Sequence, residues 1–365
     1  MSFAVAYVPI VMPDLRVWYG YVESYGSSSI VISDGINRAV YTGAFTYDAF
    51  GNVYGQLFSL SKYLYGNVEY TVTGLSVNAF DAFILIQSGN AISVANLFFA
   101  GNDLLAGSAG NDVMRSFSGS DTINGNNGND SLFGENGNDF LYGGSGNDNL
   151  FGGYGNDNLY GGTAVDRMSG GPGNDSYVVG NLGDLIVEEI GGGTADRVIS
   201  IGSFALAADD NIEVLMTSSA LGITNLNLIG NNLAQGIIGN AGANRLNGLG
   251  GSDTITGGVG GDTFIFNAAL GATNIDRITD YNVAADRIEI ENSVFIGIAN
   301  GALAASAFTA NLTGIAADLF DRIMYETDTG FLWFDRDGSG TAFGRVQFAD
   351  LADGLAMTAG EFAVV

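Results

Sequence analysis

The sequence predicts an all-β chain: a parallel β-helix or β-roll of nonapeptide repeats, with an N-terminal antiparallel β-domain before it and a C-terminal β-rich cap after it. Three observations predict this fold. Nine aspartates recur at a constant step of nine residues. An apolar or aromatic residue stands two positions after each of them. The 365 residues also include 56 glycines but only 3 prolines, which favours repetitive β-structure over disorder.

The first predicted unit, residues 1–95, is rich in aromatic residues. Residues 68–73 alternate in the period of a strand, and Gly-Asn and Asp-Gly pairs provide turns, so a small antiparallel β-domain is predicted. Residues 5–11 are predicted as its first strand. The surplus tyrosines and tryptophans would either pack in a core or line a surface that binds a glycan or a protein.

The second predicted unit, residues 96–267, carries the repeats. Its best copies, residues 143–151 and 152–160, read GGSGNDNLF and GGYGNDNLY, the nonapeptide pattern of a calcium-binding parallel β-roll. A six-residue loop and a three-residue strand make half a coil, so residues eighteen apart should stack at ~4.8 Å. The predicted core is the apolar series Leu105, Met114, Ile123, Leu132, Leu141, Leu150, Leu159, Met168 and Tyr177.

The stacked aspartates predict calcium ions between neighbouring loops. Carboxylates at that spacing repel each other unless a cation lies between them, and Ca²⁺ accepts six to eight oxygen ligands. The alternative is an array of Asn-Asp-Gly turns without ions, which nine identical spacings disfavour. The predicted metal ligands are Asp103, Asp112, Asp121, Asp130, Asp139, Asp148, Asp157, Asp175, Asp253 and Asp262. Asp166 is a weaker candidate, because Ala164 and Val165 interrupt its loop.

The repeats form two arrays, residues 100–180 and 241–267. In the second array Asn244 takes an aspartate position and lacks the charge, which weakens that half-coil. The segment between the arrays loses the aspartates but keeps short apolar strands. It is predicted to consist of metal-poor coils of the same solenoid.

The third predicted unit, residues 268–365, mixes strands with an alanine-rich segment. Residues 335–340 place oxygen donors at alternate positions before a glycine turn, like the first half of an EF-hand loop. Asp335 and Asp337 are therefore further candidate metal ligands. The expected glutamate is missing, since Val346 stands at the twelfth position, and a polar hairpin turn is the alternative.

Four aromatic residues, Phe133, Tyr142, Phe151 and Tyr160, stand three positions after an aspartate and should face outward. The half-coil arrangement sends Phe133 and Phe151 to one face and Tyr142 and Tyr160 to the other. They would either support neighbouring strands or form a partner surface for self-assembly or adhesion.

Composition excludes several classes of function. The 39 acidic and 12 basic residues give a net charge of −27, which excludes nucleic acid and anionic lipid as partners and favours cations. Cysteine is absent, so no disulfide or thiolate metal site is expected. No apolar stretch reaches the ~18–20 residues of a membrane span. Residues 1–12 lack the basic start of a cleavable signal peptide.

Residues 100–180 and 241–267 resemble the RTX, or haemolysin-type calcium-binding, repeats of secreted Gram-negative proteins, and residues 275–290 and 331–351 are similar to the C-terminal cap of that family. The resemblance implies export by a type I secretion system through an uncleaved C-terminal signal, here residues 357–365. Millimolar extracellular calcium would then trigger folding. Loop-glycine carbonyls would complete each metal shell, here those of Gly128, Gly137, Gly144, Gly146, Gly153 and Gly155.

The RTX family also contains proteases, lipases and epimerases. Without histidine the chain has neither an H-E-x-x-H zinc site nor a Ser-His-Asp triad, and no G-x-S-x-G elbow occurs. Chemistry by a pair of carboxylates stays open. We expect a secreted, non-enzymatic protein that folds with calcium and self-assembles or adheres at the bacterial surface, as a surface-layer, matrix or adhesin component. The alternative is an extracellular polysaccharide-acting enzyme, or a glycan-binding module, with an RTX secretion domain.

Overall fold

The computed structural model describes residues 21–25, 29–33, 37–47, 53–64, 67–78, 101–107, 109–188 and 192–365. Their regular structure is β-strand, apart from two 3₁₀ turns at Ala305–Ala307 and Ala359–Glu361, which confirms the predicted all-β class. The chain divides into two compact units: residues 1–177 with 183–187, and residues 178–182 with 188–365. The strand predicted over residues 5–11 lies outside the described residues.

Unit 1 begins with five antiparallel strands, which are β1 (Tyr21–Tyr25), β2 (Ser29–Ser33), β3 (Asn37–Tyr47), β4 (Val53–Leu64) and β5 (Asn67–Asn78). Each pairs with the next along the chain, as expected of successive hairpins. The N-terminal antiparallel β-domain is therefore confirmed, while its boundary at residue 95 stays a prediction. Strand β5 then pairs antiparallel with the first solenoid strand, so that Val72 lies opposite Leu105.

The solenoid of unit 1 is built from short strands, which are β6 (Leu104–Ala106), β7 (Val113–Arg115), β8 (Thr122–Asn124), β9 (Ser131–Asn136), β10 (Phe140–Ser145), β11 (Asn149–Tyr154), β12 (Asn158–Thr163), β13 (Arg167–Ser169) and β15 (Leu185–Ile186). The unit boundary falls within β14 (Ser176–Val179). Strands β6, β8, β10 and β12 form one parallel ladder, and β7, β9, β11, β13 and β15 form the other. Leu141 pairs with Leu159 in the first ladder and Leu132 with Leu150 in the second, which confirms the eighteen-residue coil.

Strands β9 to β12 have six residues each, where the sequence predicts three. They are longer because parallel pairing continues through the paired glycines, as between Gly144 and Gly162 and between Ser145 and Thr163. The turn that follows each strand is correspondingly shorter than the predicted six-residue loop.

The core of unit 1 is the predicted apolar series. Its members from Ile123 to Tyr177 are fully buried and Leu105 is 5% exposed. Met114 is half-buried, because β7 pairs only with β9 among the described strands and is covered from one side.

Unit 2 continues with β16 (Arg197–Ser200), β17 (Phe204–Ala205), β18 (Val214–Thr217), β19 (Asn227–Ile229), β20 (Gly236–Ile238), β21 (Arg245–Asn247), β22 (Thr254–Thr256), β23 (Thr263–Phe266), β24 (Asp276–Ile278), β25 (Arg287–Ile290), β26 (Gly301–Ala302), β27 (Phe308–Asn311), β28 (Ile323–Glu326), β29 (Phe331–Phe334), β30 (Val346–Asp350) and β31 (Phe362–Val364). Strands β16, β18, β20, β22 and β24 form one parallel ladder, and β17, β19, β21, β23 and β25 form the other. The parallel β-solenoid is thus confirmed in this unit too.

The end of unit 2 departs from the solenoid pattern. Strand β29 pairs antiparallel with both β28 and β30, and β30 pairs parallel with β24. Strand β31 joins the second ladder beside β25, and β26 pairs antiparallel with it. The predicted β-rich cap is therefore confirmed, while its start at residue 268 stays a prediction.

Candidate metal sites

The repeat aspartates of unit 1 form two buried ladders. In each, one carboxylate oxygen, Oδ1, accepts a hydrogen bond from the backbone N–H of the aspartate eighteen residues earlier: Asp112 donates to Asp130 at 2.8 Å and Asp130 to Asp148 at 2.8 Å. The same bond joins Asp103 to Asp121, Asp121 to Asp139, Asp139 to Asp157, Asp148 to Asp166 and Asp157 to Asp175. Through this hydrogen bond, each aspartate joins its loop to the preceding coil.

The second carboxylate oxygen, Oδ2, is buried and accepts no hydrogen bond from the described residues at nine repeat positions: Asp103, Asp121, Asp130, Asp139, Asp148, Asp157, Asp166, Asp253 and Asp262. An unpaired buried carboxylate oxygen is costly, so buried charges are normally paired or bound to metal. The same carboxylate oxygen is therefore without a hydrogen-bond partner at each of these nine positions, as expected of a cation ligand.

At seven of these positions, all except Asp103 and Asp121, the oxygen points toward a glycine five residues earlier. A Cβ built on Gly143 would collide with Oδ2 of Asp148 and lie 2.5 Å from the carbonyl oxygen of Gly161. Around Gly134, Oδ2 of Asp139 and a second glycine carbonyl converge in the same way. A carboxylate oxygen and a backbone carbonyl oxygen thus approach each other beside a glycine, with no hydrogen-bond donor between them. This donor set, a carboxylate and a backbone carbonyl, suits Ca²⁺.

The glycine carbonyls that converge with Oδ2 were missed by sequence reasoning. They belong to the first glycine of a repeat, namely Gly143, Gly152, Gly161 and Gly170. Five predicted ligand carbonyls, those of Gly128, Gly137, Gly144, Gly153 and Gly155, face the backbone of the following coil, where its glycine leaves room for them. Gly146 has φ +125°. Metal ligation by the six predicted glycines stays a prediction.

The asparagines before the aspartates form a parallel polar ladder. The amide oxygen of Asn129 accepts the backbone N–H of Asn147 at 2.9 Å, and that of Asn138 accepts the N–H of Asn156 at 2.8 Å. Asparagine side chains thus bond forward along the solenoid, whereas aspartate side chains bond backward. Together they fix the loops of successive coils in register.

Burial makes the ladders hard to ionise without a cation. Desolvation raises the pKa of Asp139 and Asp157 to about 7, and the neighbouring ladder carboxylates add to the rise. Desolvation likewise raises the pKa of Asp130 to about 6. A divalent ion would reverse this effect, because it favours the charged form of every carboxylate beside it.

The repeat of Asp166, which Ala164 and Val165 interrupt, is part of the aspartate ladder in the structure. Asp166 is buried, its Oδ1 accepts the N–H of Asp148, and its N–H donates to Asp184. Ala164 takes the left-handed conformation usually held by glycine, with φ +80°. The substitution that weakened this repeat in the sequence therefore strains one residue and leaves the carboxylate in place. Asp112 is only half-buried, since it lies beside the first strand of its ladder.

In unit 2 the ladders extend into residues that sequence reasoning missed. Asp253 donates its N–H to Oδ1 of Asp276 at 3.0 Å, and Asp262 donates to Oδ1 of Asp286 at 2.8 Å. Burial raises the pKa of Asp253 to about 8 and that of Asp276 to about 7. The nine-residue step hides Asp276 and Asp286, but each stands two positions before a buried isoleucine, as Asp121 does before Ile123.

The structure brings the two acidic residues of the EF-hand-like loop together. The N–H of Asp337 donates to Oδ1 of Asp335 at 3.1 Å, and Oδ1 of Asp337 is buried without a hydrogen-bond partner among the described residues. Burial raises the pKa of Asp335, and the nearby guanidinium of Arg322 opposes that rise. Metal binding here stays a prediction.

The four outward aromatic residues form two stacked pairs, as the half-coil arrangement predicts. The ring centroids of Phe133 and Phe151 lie 4.9 Å apart and those of Tyr142 and Tyr160 lie 4.5 Å apart. The guanidinium of Arg115 lies 3.9 Å from the Phe133 centroid and covers the outer face of that stack. These contacts show that the rings support neighbouring strands. Binding of a partner by their exposed edges stays a prediction.

A family model describes the same repeats. The RTX calcium-binding nonapeptide repeat matches the chain in 4 copies, at residues 99–127, 115–150, 142–177 and 230–267. The chain therefore carries RTX calcium-binding repeats over these residues. The RTX repeats bind several Ca²⁺ ions, and the buried aspartate ladders fit that role. No curated protein matches the sequence.

Two general features accompany the RTX assignment. Proteins with these repeats are typically secreted, and the RTX β-roll is typically a structural element. Within the described ranges, no helix has the length and apolar character needed to cross a membrane.

Proposed function

We propose that this RTX protein is secreted, non-enzymatic and folded by extracellular calcium, and that it self-assembles or adheres at the bacterial surface as a surface-layer, matrix or adhesin component. The unpartnered Oδ2 oxygens carry the proposal. The ligands are the repeat aspartates, and at Asp130, Asp139, Asp148 and Asp157 a glycine carbonyl of the following coil converges with the carboxylate oxygen. One ion between each pair of neighbouring loops would pair both oxygens.

Calcium would control folding because the solenoid has little else to hold it. Each half-coil of unit 1 buries essentially one apolar side chain, for example Leu141 or Leu150, while its glycine-rich turns lose much conformational entropy on ordering. The two ladders of buried carboxylates oppose the small gain in folding free energy from these apolar side chains. Ion binding then adds directly to the free energy of folding, and extracellular modules of this kind bind calcium at ~10⁻⁴ to 10⁻³ M.

Export would precede folding. The proposed type I secretion signal, residues 357–365, includes β31 in the folded protein, where Phe362 and Val364 are each 3% exposed. The carboxylate of Glu361 also accepts the N–H of Thr358 at 2.7 Å in a capping box. A secretion system could read this segment only before it pairs with β25, which fits a protein that folds after it meets calcium outside the cell.

Exposed apolar side chains on the solenoid of unit 1 support self-assembly or adhesion. Leu104 is 49% exposed, Val113 59% and Tyr154 66%. Leu104 lies on β6, whereas Val113 and Tyr154 lie on β7 and β11 of the other ladder. Exposed apolar surface of this kind favours contact with another copy or with a cell-surface glycan.

Light scattering in calcium and in a chelator would test the proposal. The calcium-loaded protein should grow in mass with concentration, and the variant Tyr154→Ser should grow less, with unchanged far-UV circular dichroism. A concentration-independent monomer that releases products from a polyuronate or glucan would instead support the polysaccharide-acting enzyme. A monomer that binds such a glycan without cleaving it would support the glycan-binding module.

A further inference from the structure

Two half-coils of unit 2, just before those of Asp253 and Asp262, carry an amide at the ladder position of an aspartate. Gln235 precedes β20 and Asn244 precedes β21. We infer that these side-chain amides take the place of calcium ions, so that residues 230–248 form a metal-free coil inside a calcium-dependent solenoid. The inference rests on the proposed ligation of calcium by the repeat aspartates.

The surroundings of Asn244 match those of a ladder aspartate. A Cβ built on Gly239 would lie 2.9 Å from Nδ2 of Asn244 and against the carbonyl oxygen of Gly257. At Gly143 the corresponding neighbours are Oδ2 of Asp148 and a glycine carbonyl. Asn244 therefore presents a nitrogen donor at the place where the aspartates present an unpaired oxygen.

That nitrogen is surrounded by oxygen acceptors. Nδ2 of Asn244 lies 2.8 Å from the carbonyl oxygen of Gly242, 3.1 Å from that of Asn240 and 3.4 Å from that of Gly257. It also lies 3.1 Å from Oδ1 of Asp262. If the amide were flipped, its oxygen would face these four acceptors and repel them. The amide is therefore oriented with its nitrogen toward them. Its two N–H groups can satisfy two of these oxygens without a cation, while its own Oδ1 is buried without a hydrogen-bond partner among the described residues.

Gln235 satisfies the neighbouring half-coil in a related way. Its Oε1 lies 2.6 Å from a Cβ built on Gly230, beside the carbonyl oxygen of Gly248, but unlike an aspartate Oδ2 it accepts a hydrogen bond, from the backbone N–H of Asn231 at 3.1 Å. Its Nε2 donates to Oδ1 of Asn231 at 2.7 Å. The amide of Asn231 in turn donates to the carbonyl oxygens of Ala207 at 2.9 Å and Asp210 at 2.7 Å. The loop is closed by amide hydrogen bonds.

Gln235 and Asn244 also form the backbone hydrogen bond that joins successive aspartates of the ladder. Gln235 donates its backbone N–H to Oδ1 of Asp253 at 2.7 Å, and Asn244 donates to Oδ1 of Asp262 at 2.8 Å. The metal-free coil is therefore joined to the next coil by the same hydrogen bonds as the aspartate coils, but adds no charge. It would stay ordered at calcium concentrations that no longer fill the aspartate sites.

The substitution Asn244→Asp tests the inference, because it should install a calcium site. Equilibrium dialysis with ⁴⁵Ca²⁺ should find one more bound ion per chain than in the wild type. Thermal melting in a chelator should move to lower temperature than wild type, and calcium should restore it. The matched control is Asn227→Asp, which adds the same charge at an exposed strand position. It should leave the ion count unchanged.

Three outcomes separate the inference from the proposed function. An Asn244→Asp variant with the wild-type ion count, or with wild-type melting in chelator, would overturn the metal-free coil while leaving calcium-dependent folding intact. A wild-type protein that binds no calcium would instead overturn the proposed function. Hydrogen exchange in chelator gives an independent check: amides of β20 and β21 should exchange more slowly than those of β10 and β11, and equal exchange would contradict the inference.

Discussion

The backbone N–H of Asp130 donates to Oδ1 of Asp148 at 2.8 Å, while Oδ2 of the same carboxylate is buried without a hydrogen-bond partner among the described residues. One side chain thus joins two coils by a hydrogen bond and keeps an oxygen for a cation. Because each carboxylate has both roles, every aspartate must keep its position in the repeat, which explains the strict nine-residue step. A carboxylate moved by one residue would face the other side of the strand.

Asp148→Asn should exchange a calcium site for an amide, the change opposite to Asn244→Asp. In calcium the variant should bind one ion fewer and be less stable by about 1–3 kcal/mol, since a liganded charge is lost. In chelator it should keep more β-signal than wild type, because a buried carboxylate is removed. Urea unfolding in calcium and far-UV circular dichroism in chelator measure the two effects. The exposed Asp209→Asn is the control, and identical effects of the two variants would contradict the account.

Gly143→Ala should block one site, at a glycine whose φ does not lie in the left-handed region. The added Cβ would occupy the space where Oδ2 of Asp148 and the carbonyl of Gly161 converge. We expect weaker calcium binding and a loss of about 1–3 kcal/mol, typical of overpacking. Isothermal titration and urea unfolding measure the two effects. Gly101→Ala is the matched control, because nothing lies within 4 Å of its Cβ.

Acidification should stabilise the calcium-free protein. Burial raises the pKa of Asp139 and Asp157 to about 7, above the value of ~3.9 in an unfolded chain. The folded state therefore binds more protons than the unfolded state, and this stability is fully present below pH ~4 and lost as pH rises toward ~7. In chelator, the free energy of unfolding should be larger at pH 5 than at pH 8.

Calcium affinity should depend on pH in the opposite sense to the stability of the calcium-free protein. The ion binds the deprotonated carboxylates, so calcium affinity should fall as pH decreases from 8 toward 5, and binding near neutral pH should release protons. Titrations in buffers of different ionisation enthalpy measure the proton release. Calcium affinity that is independent of pH over this range would contradict ligation by the raised-pKa aspartates.

The Phe133–Phe151 stack should contribute to stability beyond the burial of each ring. A double-mutant cycle with Phe133→Leu and Phe151→Leu should give a coupling of about 0.5–1.5 kcal/mol, the range for stacked aromatic pairs. Tyr142→Leu with Phe151→Leu is the control cycle, because these rings lie on different ladders. Additive effects in the first cycle would show that the rings do not support each other.

The period of the sequence was enough to predict the coil, its core and the ladder aspartates. A fixed step makes every residue repeat the environment of its predecessor, so one repeat predicts the rest. The prediction missed Asp276 and Asp286, because their loops add residues and end the nine-residue step. It also missed the carbonyls of Gly143 and Gly161, since backbone direction cannot be deduced from residue type. The role of Asn244 depends on where its amide nitrogen lies, which only coordinates show.

A calcium titration of the whole chain, followed by far-UV circular dichroism from chelator to millimolar calcium, tests the central claim most directly. The account predicts weak β-signal for the calcium-free protein at pH 8 and a steep gain as calcium fills the aspartate ladders. Magnesium at equal concentration should produce much less, because it demands a smaller octahedral shell. Full β-signal in chelator at pH 8, with no change on adding calcium, would contradict the claim that calcium holds the solenoid together.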